Sequence, residues 1–453
     1  MINSLRQKLL NNLDTIAALC GFIVLLCAAF LVYSKGLHDI YLIAILVGII
    51  CVAFYFTYGY KMQINEIQLF NKNWQVWLWL SIICFVGLSQ LWYVNLKFPN
   101  SLIGLDPWTH ARITTQEIDI ALLPQPNQYN IQPFDISTIG GYFNLMHLYL
   151  RGAMIVTGLS YKWASLIFWG SLQTIGTIVL TYLIGKELIG KGVGILAAFL
   201  VSIAGWVVFF NEWNIPNSSG AILCLVTAYL MLRSYKTSKG WFMWLSLIPL
   251  ALAILTHIVA ATWVVGVILC LGVLLAKRRL VSYAMPIVAI LLVGGWYSLS
   301  TVSLAARDVS TMMQTMPSFG QTMPPPTPII EPQPLPIITT TAPSTTTPVT
   351  FPIVYNLPKV TSHDVLNNGN LGELTLDSLG MFLYIGIAII GVLMMLKSTR
   401  ENKAWAILCC GTLMIGFILP LLGYSVLEER WWYLSEVFMA IPLAVALVGV
   451  LKV

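Results

Sequence analysis

Apolar stretches of about 20 residues recur along the whole chain, and they constrain its fold more than any other feature. A helix of about that length, made mostly of apolar residues, crosses the hydrocarbon core of a bilayer. Of the 453 residues, 58% are hydrophobic and 9% are charged, and that charged share is about a third of the value usual for soluble domains. The sequence therefore predicts an all-α polytopic membrane protein and excludes a soluble enzyme or a disordered chain.

The apolar stretches predict twelve membrane-spanning helices. One further stretch, 141–158, is apolar but carries Asn144, His147 and Arg151 on one side of a helix. We interpret it as an external helix lying at the membrane interface rather than as a thirteenth span. The predicted spans are 15–34, 39–58, 74–94, 162–184, 191–209, 218–234, 240–256, 258–275, 280–298, 377–396, 404–424 and 432–451.

The distribution of positive charge fixes the predicted topology. With both termini cytoplasmic and 141–158 outside the bilayer, 16 of the 24 Lys and Arg residues face the cytoplasm and eight face outward. This is the bias that cytoplasmic loops show in membrane proteins. The localisation predicted is therefore the plasma membrane or an equivalent, with large external segments. The net charge of +6 follows from this topology and does not indicate nucleic acid as a partner.

The chain divides into four predicted regions. Met323–Pro352 holds ten of the 22 prolines, and this density precludes a helix and favours an extended external loop. The regions are an N-terminal helical hairpin at 1–73, a core at 74–300 with a first external loop at 95–161, an external loop at 301–376, and C-terminal helices at 377–453.

Four polar clusters fall on the predicted external side. Together they contain carboxylates, which can take a proton from an acceptor, and cationic or donor groups, which can stabilise a leaving phosphate. Taken singly, each also has a plainer interpretation as a helix cap, a packing residue or an interface residue. The clusters are Asp106–Arg112, Asn211–Ser219 between the spans 191–209 and 218–234, His257 in a tight turn, and Glu428–Arg430 at the start of the last helix.

The first cluster carries a family resemblance. Asp106-Pro107-Trp108-Thr109-His110-Ala111-Arg112 resembles the first external-loop motif of archaeal oligosaccharyltransferase catalytic subunits, which belong to the GT-C superfamily of membrane glycosyltransferases. Leu148–Gly192 and Arg430–Val450 are also similar to that superfamily, and the resemblance covers about 74–300 and 400–450. It implies a GT-C-like fold with an external active site.

The resemblance also implies roles for individual residues. Asp106 takes the place of the first-loop catalytic carboxylate, and Glu212 that of an acidic pair in the second external loop. The predicted substrate-binding residues are His110, Arg112, Asn214, His257 and Arg430, the last facing the lipid phosphate.

Two departures from the family pattern bear on cofactors and acceptors. An amide, Asn214, replaces the second acid of the pair, which weakens a predicted Mg or Mn site at Asp106 and Glu212, because hard cations favour carboxylates. The chain ends at Val453, so the C-terminal soluble domain of the family is expected to be absent.

The function predicted is transfer of a sugar from a polyprenyl (dolichyl) phosphate-linked donor to a glycan or protein acceptor on the external face. Three alternatives stay open. One is oligosaccharyltransferase-like transfer of a lipid-linked glycan to protein. The second is a transporter or flippase, for which charged or broken helices within the bilayer are expected. The third is a scaffold whose Pro/Thr-rich loop binds a partner.

Overall fold

The computed structural model of the protein describes residues 72–99, 145–213, 216–275, 280–301, 371–418 and 428–450, with isolated positions between 102 and 115. The predicted spans 15–34 and 39–58 and the proline-rich segment lie outside these residues. The described part is helical, without a strand. Its helices belong to one packed unit, which is interrupted in sequence by Ser303–Leu374.

The described helices follow the apolar stretches of the sequence. We number them α1 Asn73–Lys97, α2 Leu145–Thr157, α3 Tyr161–Leu188, α4 Lys191–Ser202, α5 Gly205–Trp213, α6 Pro216–Thr237, α7 Trp241–Thr256, α8 Ile258–Leu274, α9 Leu280–Thr301, α10 Leu371–Leu396, α11 Arg400–Leu413 and α12 Glu428–Val450. α7 is interrupted at Ser246, and π-helical turns occur within α3 and directly after α11.

Three of these helices, α1, α3 and Arg430–Gly449 of α12, are long and apolar enough to cross a membrane. A fourth span is formed if α4 and α5 are counted together. The stretch 141–158 contains the shorter helix α2, and its position at the membrane interface stays a prediction. The described residues thus support an integral membrane protein, and the number of twelve spans stays a prediction.

The predicted span 191–209 is not one straight helix. α4 ends at Ser202, α5 begins at Gly205, and the two helices are bent by 59°. The prediction of a continuous helix is therefore wrong at this point. One consequence concerns the second polar cluster, because Asn211 and Glu212 lie on α5 and not in a loop.

The last helix, α12, lies at the centre of the described bundle, where it packs against α4, α5 and α11. In its most apolar stretch 89% of the residues are buried, against 28% in that of α1. α1 instead exposes large apolar side chains, among them Trp77, Phe85 and Tyr93. Exposed apolar groups of this size suit a face turned to lipid, so among the described helices α1 is peripheral and α12 belongs to the core.

Glycines allow two close helix contacts. A Cβ on Gly185 would stand 2.9 Å from Cα of Gly194, which is where α3 meets α4. A Cβ on Gly391 of α10 would overlap the carbonyl group of Pro442 in α12. Small residues at such crossings let backbones approach closely in membrane bundles.

The far end of α3 carries an ion pair. Nη1 of Arg233 lies 3.0 Å from Oε1 of Glu187, and Nζ of Lys236 lies 3.8 Å from Oε2 of the same carboxylate. The Arg233 side chain is 35% exposed. These groups lie near the ends of α3 and α6 on the predicted cytoplasmic side.

Candidate functional site

The segment that carries the first motif begins at the end of α1, and Lys162 holds that end. Its Nζ donates hydrogen bonds to the carbonyl oxygen of Asn95, at 2.9 Å, and to that of Phe98. Carbonyls in the last turn of a helix have no partner within the helix, so the buried ammonium satisfies them. Lys162 therefore ties the start of α3 to the point where the chain leaves α1.

Two histidine side chains are in contact, one from the segment after α1 and one from α2. Nδ1 of His110 lies 3.0 Å from Nε2 of His147, and the ring centroids are 5.0 Å apart. His147 is fully buried on α2, next to an apolar cluster formed by Met146, Leu150 and Tyr161. The amphipathic α2 therefore carries both the packing that holds it in place and a polar group of the site.

The backbone around His110 is locally fixed. The hydroxyl of Thr114 donates to the carbonyl oxygen of His110 at 2.8 Å, and the hydroxyl of Thr115 donates to that of Ala111 at 2.8 Å. Ala111 packs against the apolar cluster on α2. The described part of the first motif therefore lies folded against α2.

His257 lies at the junction of α7 and α8, as the sequence predicts. Its backbone is extended, with φ −166° and ψ 140°, and its Nδ1 accepts a hydrogen bond from the backbone N–H of Val259 at 3.1 Å. This is an N-cap of α8. Because Nδ1 is the acceptor, the proton of the neutral ring lies on Nε2, which is then a donor.

Electrostatic interactions join these groups to the start of α12. Burial, with smaller contributions from His110 and His257, lowers the pKa of His147 to about 3. Burial, with contributions from Arg430 and His110, lowers the pKa of His257 to about 3. His110 contacts His147, and His257 interacts electrostatically with His147, His110 and Arg430. We call these four residues the histidine cluster. Its two buried imidazoles are neutral near pH 7, beside one guanidinium.

α5 brings a carboxylate close to the same end of α12. The Phe210 ring stacks on Tyr433 with centroids 5.0 Å apart, and the Tyr433 hydroxyl donates to the carbonyl oxygen of Ser218 at 3.1 Å. Glu212 follows Phe210 by two residues, and Tyr433 follows Arg430 by three. The acid of the second motif is therefore carried by a helix that packs against the helix of Arg430.

The outcome for the predicted site residues is mixed. His110 contacts His147, and His257 caps α8. Arg430 lies in the first turn of α12 and Glu212 lies on α5. The roles predicted for these residues stay predictions. Three predicted residues lie outside the described part of the chain, and their placement stays a prediction: Asp106, Arg112 and Asn214.

Sequence reasoning missed His147 as a site residue. Its position on the polar side of a short apolar helix identified it as an interface residue only. Its partner is 37 residues away in sequence, and no spacing rule connects them. Its Nδ1 is buried and has no hydrogen-bond partner within the described residues, which marks it as a group that needs an explanation.

A metal site is not formed by the described residues. Among them, no group of three or more His, Cys, Asp or Glu side chains is arranged to hold an ion. The donors that do converge are mainly imidazoles, whereas Mg²⁺ prefers oxygen ligands. The predicted Mg or Mn site at Asp106 and Glu212 stays a prediction, because Asp106 lies outside the described residues.

A small cleft at the bend between α4 and α5 is the other polar region. Gly87, Thr174, Thr177, Ser202 and Asn211 are among its lining residues. Oγ1 of Thr177 and Oδ1 of Asn211 have no hydrogen-bond partner within the described residues. The free space suits about one water molecule, so this cleft is too small to hold a sugar.

The sequence matches no protein-family model and no curated protein. Among solved structures, the chain is similar to the Archaeoglobus fulgidus oligosaccharyltransferase. The apo crystal structure is 15% identical over 84% of this chain and 51% of that chain, with a TM-score of 0.47. Its complex with Zn and sulfate is 13% identical over 83% and 49%, with a TM-score of 0.46.

A third similar structure is that of archaeal oligosaccharyltransferase AglB from the same organism, in complex with an inhibitory peptide and a dolichol-phosphate. It is 16% identical over 85% of this chain and 51% of that chain, with a TM-score of 0.47. The chain spans about half the length of the chains in these structures.

Proposed function

We propose that the protein is a membrane glycosyltransferase that transfers a sugar from a polyprenyl phosphate-linked donor to an acceptor at the external membrane surface. The observation that carries the proposal is the histidine cluster, in which the His110 and His147 rings are in contact and His257 interacts electrostatically with Arg430. The resemblance of the Asp106–Arg112 motif to glycosyltransferases supports the same chemistry.

The cluster suits a phosphate leaving group. In the reaction, the acceptor oxygen or nitrogen forms a bond to the anomeric carbon of the sugar. The bond from that carbon to the phosphate oxygen breaks, and its electron pair leaves with the lipid phosphate. Arg430 supplies a permanent positive charge for that anion, and His257 supplies a neutral N–H donor. Such preorganised donors stabilise charge that develops in a transition state.

Two carboxylates complete the proposed mechanism. The acceptor loses a proton as the new bond forms, and a positioned carboxylate can take it. We assign this role to Asp106 and assign orientation of the acceptor to Glu212. The lipid tail of the donor is expected to lie among the exposed apolar side chains of the helices.

No step here depends on a metal ion, and metal dependence is a separate question. If Asp106 and Glu212 share a divalent ion, a chelator should abolish transfer, and Glu212→Gln should cost as much as Asp106→Asn. Without such an ion, a chelator should have no effect and Glu212→Gln should cost less.

A transporter is the second candidate, because two of its expected features are present in the described residues. The pair α4 and α5 is a broken helix, and Glu436 is an acidic residue within α12. The Glu436 carboxylate, however, accepts hydrogen bonds from two amides of the protein itself. The enzyme proposal is preferred because His110, His257 and Arg430 lie near ends of the described helices, on the side that the predicted topology makes external.

The direct test is a transfer assay in membranes with a panel of radiolabelled polyprenyl-phosphate sugars. At least one donor should give a labelled product that depends on the protein. Folded wild-type protein that uses none of the donors contradicts the proposal, and protein-dependent movement of unmodified labelled lipid across vesicles would favour the transporter.

Arg430→Ala tests the role of the cluster. A hydrogen bond to a charged group contributes about 1.5–3 kcal/mol, so the KM for the donor should rise about 10- to 100-fold. The matched control is Arg400→Ala. The Arg400 side chain donates to the carbonyl oxygen of Leu274 at 2.6 Å, on the predicted cytoplasmic side, and the donor KM should not change. Equal effects of the two substitutions would contradict phosphate binding by Arg430.

A further inference from the structure

Glu436 is a buried carboxylate inside the central helix α12, and its side chain ends at another helix. The residue is 1% exposed. Its Oε2 accepts a hydrogen bond from the backbone N–H of Trp206 at 2.8 Å and one from that of Val207 at 3.3 Å. Both amides belong to the first turn of α5, which lies about 230 residues earlier in the chain.

The bend between α4 and α5 creates the need for this contact. The first-turn amides of a helix have no partner within it, and an unpaired amide is costly in an apolar environment. Because α4 ends at Ser202, the amides of Trp206 and Val207 cannot be satisfied by a continuous helix. A carboxylate at this position satisfies both amides and interacts favourably with the positive end of the helix dipole.

Further contacts hold α5 against the same part of α12. The rings of Trp206 and Trp432 form an edge contact with centroids 5.4 Å apart. Phe210 stacks on Tyr433. The backbone of Glu436 is held in turn, because the hydroxyl of Tyr384 donates to its carbonyl oxygen at 3.0 Å. The carboxylate is thus a fixed point for the start of α5.

The other end of α5 carries the acid of the second motif. Glu212 follows Val207 by five residues, which is about 7.5 Å along a helix. A helix this short moves as one piece, so a change in tilt at its start displaces Glu212 relative to Arg430. Contacts at Trp206 and Val207 therefore bear on the geometry at Glu212.

We propose that Glu436 is a positioning residue of the candidate site, which fixes the tilt of α5 and thereby places Glu212. The proposal rests on the proposed function for the role of Glu212, but the placement of α5 can be measured without any enzymatic assay. Glu436 itself touches no substrate in this proposal.

The experiment combines cysteine labelling with the transfer assay. A cysteine at Ile215, two positions after the last residue of α5 in the sequence, is used to report the placement of that helix through its rate of reaction with a water-soluble maleimide. The variants are Glu436→Ala, which removes the acceptor, and Glu436→Gln, which keeps an acceptor oxygen without the charge. Ser435→Ala is the matched control, because the buried Ser435 hydroxyl has no hydrogen-bond partner within the described residues.

In Glu436→Ala, the labelling rate should change severalfold at a temperature where the protein is folded, and kcat should fall about 10- to 100-fold, the cost of a misplaced reacting group. Glu436→Gln should restore most of both quantities, and Ser435→Ala should change neither. If Glu436→Ala does not accumulate, Glu436→Asp replaces it. The shorter side chain withdraws the carboxylate from the two amides, and the same direction of change is expected.

Two results would overturn the proposal. The first is a lower melting temperature with unchanged labelling and kcat, which would make the contact purely a matter of stability. The second is loss of transfer in Glu436→Gln and Glu436→Ala with wild-type labelling, because the carboxylate would then act other than by placing α5. Failure of the wild-type protein to transfer any sugar would count against the proposed function alone, since labelling still tests the placement.

Discussion

Polar groups at the start of α12 and those six residues further along the helix differ in their hydrogen bonding. At its start, Arg430 interacts electrostatically with His257, whose pKa is strongly lowered, and Nδ1 of His147 in the same cluster lacks a partner within the described residues. Six residues further on, Glu436 is buried, and its carboxylate accepts two backbone hydrogen bonds. The first region leaves a buried polar atom without a partner among the described residues, whereas in the second the carboxylate has fixed backbone partners.

This difference distinguishes a functional site from the structural element that holds it in place. Buried groups with unmet hydrogen bonds and shifted pKa values are typical of functional sites. A buried charge with fixed protein partners is typical of a structural element. Substitutions in the first region should therefore reduce activity more than stability, and substitutions in the second should reduce both.

The largest effect is expected for Asp106→Asn. The amide keeps the shape of the side chain but removes the proposed base, and general-base catalysis contributes about 10²- to 10⁴-fold. Turnover in the transfer assay should fall by that factor, with an unchanged melting temperature. Asp119→Asn, in the same predicted external loop, is the control and should leave turnover as it is. Wild-type turnover in Asp106→Asn would end the assignment of the base.

The next effect concerns stability at the supporting contact. Glu436→Ala leaves the amides of Trp206 and Val207 without their acceptor, and an unsatisfied buried donor costs about 1–3 kcal/mol. Thermal unfolding in detergent should show a lower melting temperature for this variant than for Glu436→Gln. The neighbouring substitution Ser435→Ala should be close to wild type. If Glu436→Ala melts at the wild-type temperature, the two regions do not differ in the way described.

The pH dependence of stability should come from the first region. An unfolded histidine has a pKa of about 6.5, whereas the pKa values of His147 and His257 in the fold are about 3. Between these values the unfolded chain binds protons that the folded protein does not. The stabilisation is therefore complete above about pH 6.5 and is lost as the pH falls towards 3, with a slope of up to about 1.4 kcal/mol per pH unit for each histidine.

The measurement is thermal unfolding between pH 7.5 and pH 5, for the wild type and for the double substitution of His147 and His257 by Asn. The double variant should lose less stability over this range than the wild type. His363, in the predicted external loop 301–376, provides the control, because His363→Asn should keep the wild-type slope. Identical slopes in the wild type and the double variant would show that the two imidazoles are not held neutral by the fold.

The positions of the helices were predictable from the sequence, but the bend between α4 and α5 and the hydrogen-bond partners of Glu436 were not. Apolar stretches give helix positions directly, because a bilayer demands them. Ile203 and Ala204 continue the apolar pattern across the bend, so the sequence pattern does not indicate the break, and the carboxylate that satisfies the freed amides comes from a distant helix. In the sequence, Glu436 is a single acidic residue within an apolar stretch, and no pattern indicates its partner.

The candidate site shows the same limit. His257 and Arg430 were candidates from the sequence, because both lie at ends of predicted spans that the predicted topology places on one side. His147 could not, because its role depends on the segment after α1 folding back onto α2. Contacts between a loop and a distant helix leave no periodic pattern in the sequence.

The smallest effect is expected at the opposite end of α3, where Glu187 pairs with Arg233 and Lys236. This ion pair differs from both regions of α12. Its charged groups are paired with each other, and the Arg233 side chain is 35% exposed. Ion pairs of this kind contribute about 0–1 kcal/mol, because water screens them and two long side chains must be ordered. Glu187→Gln should therefore lower the melting temperature slightly or not at all, the small loss should shrink further in high salt, and turnover should stay at the wild-type value. A Glu187→Gln variant that lost as much turnover as Asp106→Asn, or as much stability as Glu436→Ala, would mean that charge removal anywhere in the bundle disturbs the protein, and the distinction between the two regions of α12 would fail.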